Sequence, residues 1–238
     1  MAADEEAREL AAAAGGDLSR LEELVTRRLA GEPLAWVTGW VDFAGTRLRV
    51  DEGVYVPRYE TRILVTAALE VLPADGMAVD LCTGSGAVAA ALRRSRPGAR
   101  VVASDVDPVA CRCATSNEVE VYEGDLDAPL PASCLASADV VTAVAPYVPT
   151  DRIEYMPRDF RDYEPVAALD GGPDGLRVVG RVVAAGARLL RPDGWLVLEL
   201  GAGQDRLLAP ILSEWGYGEA EPFFDEDGDL RAIRARLG

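Results

Sequence analysis

Histidine is absent from this chain. That absence excludes any mechanism built on an imidazole base, the Ser-His-Asp arrangement included. It also removes the commonest companion of cysteine in a zinc site. The four cysteines, Cys82, Cys111, Cys113 and Cys134, form no CxxC pair and no metal-ligand spacing. They read as reduced thiols of a cytoplasmic protein, with no metal site expected. Positive charge is short as well: 24 Lys+Arg face 40 Asp+Glu, for a net charge of -16. Such a chain lacks the basic stripe that tracks a phosphate backbone, so no nucleic-acid partner is expected. No apolar run approaches membrane length, and the early run Asp4-Glu5-Glu6 is the opposite of a signal peptide. No membrane partner is expected either, and oligomeric state is not legible.

What is present is apolar. Hydrophobic residues make up 49% of 238 positions, enough for a sizeable core in one large domain with a small extension. Residues 4–14 and 17–30 read as helices split by Gly15-Gly16. Asp17 serves as N-cap, and Leu18, Leu21, Leu24, Val25 and Leu29 fall at helical spacing. Residues 34–56 read as β-rich, with a hairpin turn at Gly45. A helix is expected from about 59–61 to Leu72. Three divisions follow: a helical extension over 1–30, a β-hairpin region over 31–56 and the main domain over 57–238.

From residue 77 onward strand and helix alternate, which predicts an α/β, doubly wound, mostly parallel sheet. Strands are expected at 77–81, 101–105, 119–122, 139–143 and 195–200, with helices at 87–96, 108–116 and 175–190. The last helix is stopped by Pro192-Asp193-Gly194. The tail offers a helix at 204–215 and two final strands, joined by a solvated acidic turn at 225–229. The segment 144–174, rich in Pro, Asp and Tyr, is long enough to suggest a functional loop.

The organising stretch is Val79-Asp80-Leu81-Cys82-Thr83-Gly84-Ser85-Gly86. It reads as strand, glycine turn, then helix, the unit whose ligand lies beyond the carboxyl end of the strand. Gly84 and Gly86 would let backbone approach a ligand closely. The spacing is not the dinucleotide fingerprint: the strand ends in an acid and no third glycine follows. Asp80 would repel a pyrophosphate and attract a cationic ligand such as S-adenosylmethionine, with its sulfonium and amine. Two more acids, Asp105 and Asp125, fall at the ends of the next two strands. Asp105 sits at the interval where an acid accepts from a ribose diol, and Asp125 where an adenine amine could donate. No base, nucleophile or metal cluster accompanies them. Methyl transfer needs none, because alignment of donor and acceptor does most of the work.

These residues bring a family into view. Gly31-Glu32-Pro33-Leu34 with Gly39 and Phe43, Val56-Pro57-Arg58-x-Glu60-Thr61, the glycine loop, Asp105, Gly124-Asp125-Leu126, and Glu164-Pro165 with Ala168-Leu169-x-Gly171-Gly172-x-Asp174-Gly175-Leu176 together resemble the release-factor glutamine methyltransferases. These enzymes modify a glutamine amide nitrogen in class 1 peptide-chain release factors. The resemblance is nearest to their actinobacterial relatives and runs from Gly31 to about Leu200. It implies the class I methyltransferase fold, a seven-stranded doubly wound sheet with a helical N-terminal extension, and S-adenosylmethionine as donor. Carried over, the cofactor residues are Cys82, Thr83, Gly84, Ser85, Gly86, Asp105 and Leu126; Asp80, Val106, Asp125, Arg58 and Thr61 complete the candidate cofactor set.

The chain departs from the family in two places. The extension is about thirty residues, shorter than in the release-factor enzymes, where it grips the protein substrate. The family's Asn-Pro-Pro-Tyr, which closes the fourth strand and forms the catalytic corner, reads Val144-Ala145-Pro146-Tyr147 here. Valine keeps the volume of asparagine but cannot hydrogen-bond a substrate amide, at a cost of roughly 1–3 kcal/mol for each lost bond. Both changes favour a different acceptor, such as a small biosynthetic molecule with Val144 as an apolar wall. Two alternatives stand beside it: a protein-glutamine methyltransferase that tolerates Val144, and a non-catalytic homologue that binds cofactor or a partner.

Overall fold

The computed structural model describes residues 3–238. Met1 and Ala2, where the expected extension begins, lie outside the described residues. Helices α1 (Ala3–Ala14) and α2 (Leu18–Leu29) lead the chain. The Asp17 carboxylate caps α2, accepting from Arg20 N at 3.1 Å. Leu10, Ala14 and Leu24 are buried together with Val37 in a small satellite core. Leu18 and Leu29 do not join it; they sit at the two ends of α2 and are exposed at 76% and 84%.

Residues 34–38, expected as β, form a short helix instead, α3 (Leu34–Thr38). Pro33 precedes it and Gly39 follows in the left-handed region at φ 87°. A proline before and a glycine after are helix punctuation, and here they override the β-propensity of Trp36 and Val37. The hairpin comes next, β1 (Trp40–Phe43) and β2 (Thr46–Arg49), paired antiparallel. Its turn residues Ala44 and Gly45 both have positive φ, 47° and 75°, the pattern that matches strand twist in a two-residue turn.

The main domain then alternates as expected: α4 (Arg62–Leu69), β3 (Met77–Leu81), α5 (Ala87–Ser95), β4 (Arg100–Asp105), α6 (Pro108–Ser116), β5 (Glu120–Glu123) and β6 (Ala138–Ala143). Short helices α7 (Arg158–Arg161) and α8 (Val166–Leu169) interrupt the long segment after β6. There follow α9 (Arg177–Leu189), β7 (Leu190–Glu199), α10 (Gln204–Glu214), β8 (Glu221–Phe224) and β9 (Leu230–Arg236). Helix α9 passes into β7 without the expected break: residues 192–194 lie inside the strand, with Asp193 at φ 67° and an irregular register against β6.

The seven strands run in the order β5-β4-β3-β6-β7-β9-β8. The first five are mutually parallel, and β9 is antiparallel to both neighbours. Alternation along β3 sends Val79 and Leu81 into one core and Ala78 into the other, so both sheet faces are covered. The chain winds outward from β3 to β5, then returns to place β6 on the other side of β3. The crevice at that reversal, beyond the carboxyl ends of β3 and β6, is where open α/β sheets bind ligands. Among the described residues no helix is long and apolar enough to cross a membrane.

Leu24 is fully buried under the extension. Leu24→Ala should destabilise the protein by about 2–5 kcal/mol if the extension unfolds with the domain. Urea unfolding, followed by tryptophan fluorescence, measures it.

Candidate functional site

Two adjoining cavities lie at the switch point. The larger holds about 380 Å³ and is walled by the turn after β3, the ends of β4 and β5, and Val144 and Pro146 after β6. The smaller holds about 270 Å³ between Tyr55, Arg58, Tyr147, Phe160 and Glu199. Tyr55, Val144 and Ala168 line both.

The first cavity gathers most of the expected cofactor residues: Asp80, Cys82, Thr83, Gly84, Ser85, Asp105, Val106, Asp125, Leu126 and Thr61 all line it. Gly86 stands behind the turn. Its φ is +80°, and a Cβ there would lie 2.9 Å from Val119 Cγ2 and 3.1 Å from Ala114 Cβ. Gly84, at φ +56°, has no heavy atom within 4 Å of where a Cβ would stand, so a ligand can lie directly on backbone. The turn is held from outside. Asn117 Nδ2 donates to Ser85 O at 2.8 Å and to Arg49 O at 2.8 Å, joining it to the hairpin.

Asp80 is only 1% exposed and has a different task from the one its charge suggests. Thr83 donates to its Oδ2 at 2.5 Å and Thr142 to its Oδ1 at 2.7 Å. Burial raises its pKa to about 6, against the pull of those two hydroxyls. It therefore braces the loop first and supplies negative potential second. Asp105 faces the cavity, and its Oδ2 accepts from Gly84 N at 2.8 Å and its Oδ1 from Asp107 N at 3.0 Å. Burial raises its pKa too, while these backbone donors hold it down.

Asp125 is engaged otherwise than expected: its Oδ2 accepts from Arg181 Nη2 at 2.5 Å, so an adenine amine would compete with a guanidinium. Burial also raises the Cys82 thiol's pKa, leaving it neutral and unreactive.

Arg58 is not a wall of the first cavity. It reaches into the second, pairs with the buried Glu164 at 2.5 Å and stacks over Tyr55 and Phe160. Of the catalytic corner, Val144 stands at the junction of the two cavities, Ala145 is buried, and Pro146 lines the first. Tyr147 lines the second, with its hydroxyl donating to Glu199 Oε1 at 3.0 Å. Sequence reasoning had not singled out Glu199, Asn117 or Arg181. An acid ending the fifth parallel strand was the one legible signal among them.

A cavity edged by carboxylates, with exposed glycine backbone and no nucleophile–base pair, fits a cationic nucleoside donor such as S-adenosylmethionine. The fold and the site together define a class I S-adenosylmethionine-dependent methyltransferase. No family model matches the chain. Among curated relatives, a release factor glutamine methyltransferase of Geobacter sulfurreducens is 35% identical over 228 residues, covering 93% of this chain and 79% of that one. Another, of Moorella thermoacetica, is 40% identical over 213 residues, covering 85% and 73%. The chain belongs to the release factor glutamine methyltransferase family. Among solved structures, a chain of the E. cuniculi Mtq2–Trm112 complex, responsible for methylation of the eRF1 termination factor, superposes with a TM-score of 0.57 at 22% identity, over 78% of this chain and 99% of that one.

Gly86→Ala should cost about 1–3 kcal/mol, because the new methyl meets Val119 and the backbone is held at positive φ; chemical unfolding checks it. Asp80 gives a pH signature. Its folded pKa, about 6, lies above its unfolded value near 3.8, so the folded state holds the proton more tightly. Stability should fall as pH rises from about 4 to about 6, by on the order of 1–3 kcal/mol, and then level off. Asp80→Asn should reduce that slope by Asp80's share, with Asp105, Glu164 and Glu199, whose pKa values burial also raises, contributing in the same direction, as read from paired urea titrations across the window.

Proposed function

We propose that this protein methylates the side-chain amide nitrogen of a glutamine in a protein acceptor, a class 1 peptide-chain release factor. The observation that carries the proposal is the second cavity, which opens onto the donor cavity at Val144 and Tyr55. Its walls combine the rings of Tyr55, Tyr147 and Phe160 with the guanidiniums of Arg58 and Arg231 and the carboxyls of Glu60 and Glu199, a mixture suited to a planar amide that both donates and accepts. The family relationship supports the same acceptor. Nothing supports the small molecule that the Val144 change had suggested, so that expectation gives way to the protein-glutamine alternative.

In this reading S-adenosylmethionine supplies a methyl group already activated by a positive sulfur. The chain's own residues bind and align. Asp105 accepts from ribose hydroxyls while its backbone contacts keep Gly84 in place. Val106 and Leu126 flank the base. Thr83, Gly84 and Ser85 present backbone, and Asp80 sets the turn that carries them. Pro146 and the carbonyls around Ala145 frame the reacting amide, and Tyr55 closes it from the other side. Val144 excludes water from the junction but leaves one amide group without the partner an asparagine would give. The activity is therefore slower than in an Asn-bearing relative by about 1–3 kcal/mol of barrier.

The direct test is incubation with S-adenosylmethionine and a release factor, read by mass spectrometry for one added methyl on a glutamine; an unmodified release factor would refute the acceptor. S-adenosylmethionine should bind in the micromolar range, about -8 kcal/mol, and Asp105→Ala should weaken binding by about 1–3 kcal/mol. Calorimetry measures both. Val144→Asn should raise kcat/KM on the glutamine substrate by about tenfold or more, because the new amide pairs with the substrate's own. A fall in rate would indicate a site reshaped for another acceptor.

A further inference from the structure

The second cavity contains a polar atom that no interaction described so far uses. Glu199 ends β7 and is 4% exposed. Its Oε1 accepts from the Tyr147 hydroxyl at 3.0 Å. Its Oε2 is buried and has no hydrogen-bond partner among the described residues. A buried carboxylate oxygen without a well-aligned partner is unfavourable, and this one belongs to a residue of the cavity wall. The Thr61 hydroxyl is the neighbouring side-chain donor and lowers the carboxyl's pKa, but the pair is not well aligned, so an amide N–H entering the cavity would take the place of that hydroxyl.

Position adds to this. β6 and β7 are parallel, with Ala143 opposite Leu198. One step further along both strands, Val144 and Glu199 come opposite each other. Register partners share a sheet face, and both residues line the second cavity. Glu199 thus stands beside the place where the family's asparagine is missing, offering an acceptor where Val144 offers none.

We propose that Glu199 Oε2 accepts an N–H of the substrate's primary amide and takes its proton as the methyl is transferred. This rests on the glutamine acceptor proposed above. In the step, the amide nitrogen bonds to the donor's methyl carbon and the carbon–sulfur pair stays on sulfur. The nitrogen's extra proton passes to Oε2, and from there to solvent when product leaves. The Tyr147 hydroxyl, donating to Oε1, fixes the carboxylate's orientation.

The groups facing the carboxyl set when it is ionised. Burial favours the neutral form and raises its pKa above the ordinary glutamate range. Thr61, Tyr147 and Arg58 oppose that, and Glu60 adds to it. Tyr55 also faces the cavity, as does Arg231 of β9, which is paired with Asp225 at 2.6 Å. Glu164 is turned to Arg58. Activity should therefore rise with pH through an acid limb lying above the glutamate range, then level off.

The experiment compares wild type, Glu199→Gln and Glu199→Asp on a release factor, with kcat followed from pH 5 to 9 and S-adenosylmethionine affinity measured by calorimetry. Glu199→Gln should lose about 10²–10³-fold in kcat and the acid limb with it, at unchanged cofactor affinity. Glu199→Asp should keep the acid limb at an intermediate rate. A Glu199→Gln enzyme within threefold of wild type and with the same pH profile overturns the proposal. If Glu199→Gln fails to fold, seen as lost cofactor binding, the Glu199→Asp profile decides: no acid limb there also overturns it. A wild type that binds cofactor but leaves the release factor unmodified refutes the acceptor itself, and the role of Glu199 falls with it.

Discussion

The buried carboxylate of Asp80 is the joint on which the donor site depends. It lies at the switch point, on the central strand β3, and both of its oxygens accept short hydroxyl hydrogen bonds: one from Thr142 on β6 and one from Thr83 in the turn. Thr83 N in turn donates to Ser104 O on β4 at 3.1 Å, and Gly84 N donates to Asp105. A single line of hydrogen bonds therefore crosses three strands and fixes where Gly84 and Asp105 stand. Burying a carboxylate in this way is unfavourable on its own, which is why its pKa rises. A cationic ligand in the adjoining cavity would offset part of that cost.

Much of this was legible in the sequence, and the exceptions have physical causes. Alternation from β3 to β6 and the strand-end acids follow from short-range rules, and the residues they single out line one cavity. Helix α3 was missed because Trp36 and Val37 favour strands, while Pro33 and Gly39 set the local backbone. Leu18 and Leu29 have helical spacing but fall at the ends of α2, beyond the reach of the satellite core. The pairing of Asp125 with Arg181 spans 56 residues, and Arg58 with Glu164 spans 106. No local pattern encodes such distances. Each gives a protein partner to a residue that sequence reasoning had assigned to the cofactor.

Arg181 changes the electrostatics of the donor cavity as well as its contacts. The chain is strongly acidic, and four aspartates, Asp80, Asp105, Asp107 and Asp125, line one cavity, where their charges would repel each other. Asp125 is neutralised by its guanidinium, while Asp105 is held by backbone N–H groups that stabilise charge without cancelling it. Asp80 is held by neutral hydroxyls. The buried Asp80 and half-buried Asp105 thus stand at the β3 and β4 ends, while the acid beyond β5 is exposed and paired with a guanidinium. That division suits a ligand whose positive charge sits on one end and whose other end is an uncharged base.

The N-terminal helices are tied to the second cavity. Tyr163 Oη donates to Ala30 O at 2.9 Å at the end of α2, and its ring meets Trp36 edge-on at 6.5 Å. Trp36 Nε1 donates to Val54 O at 2.9 Å. The next residue, Glu164, accepts from Val56 N and pairs with Arg58, whose guanidinium lies over Tyr55 and Phe160. An unbroken path of contacts thus runs from the extension to the walls of the cavity that takes the acceptor. A protein docking against α1 and α2 would load the same elements that shape Tyr55 and Arg58. Packed and hydrogen-bonded contacts of this kind transmit small shifts rather than absorb them. That attachment gives any partner of α1 and α2 a route to cavity geometry that a tethered, independent module would lack.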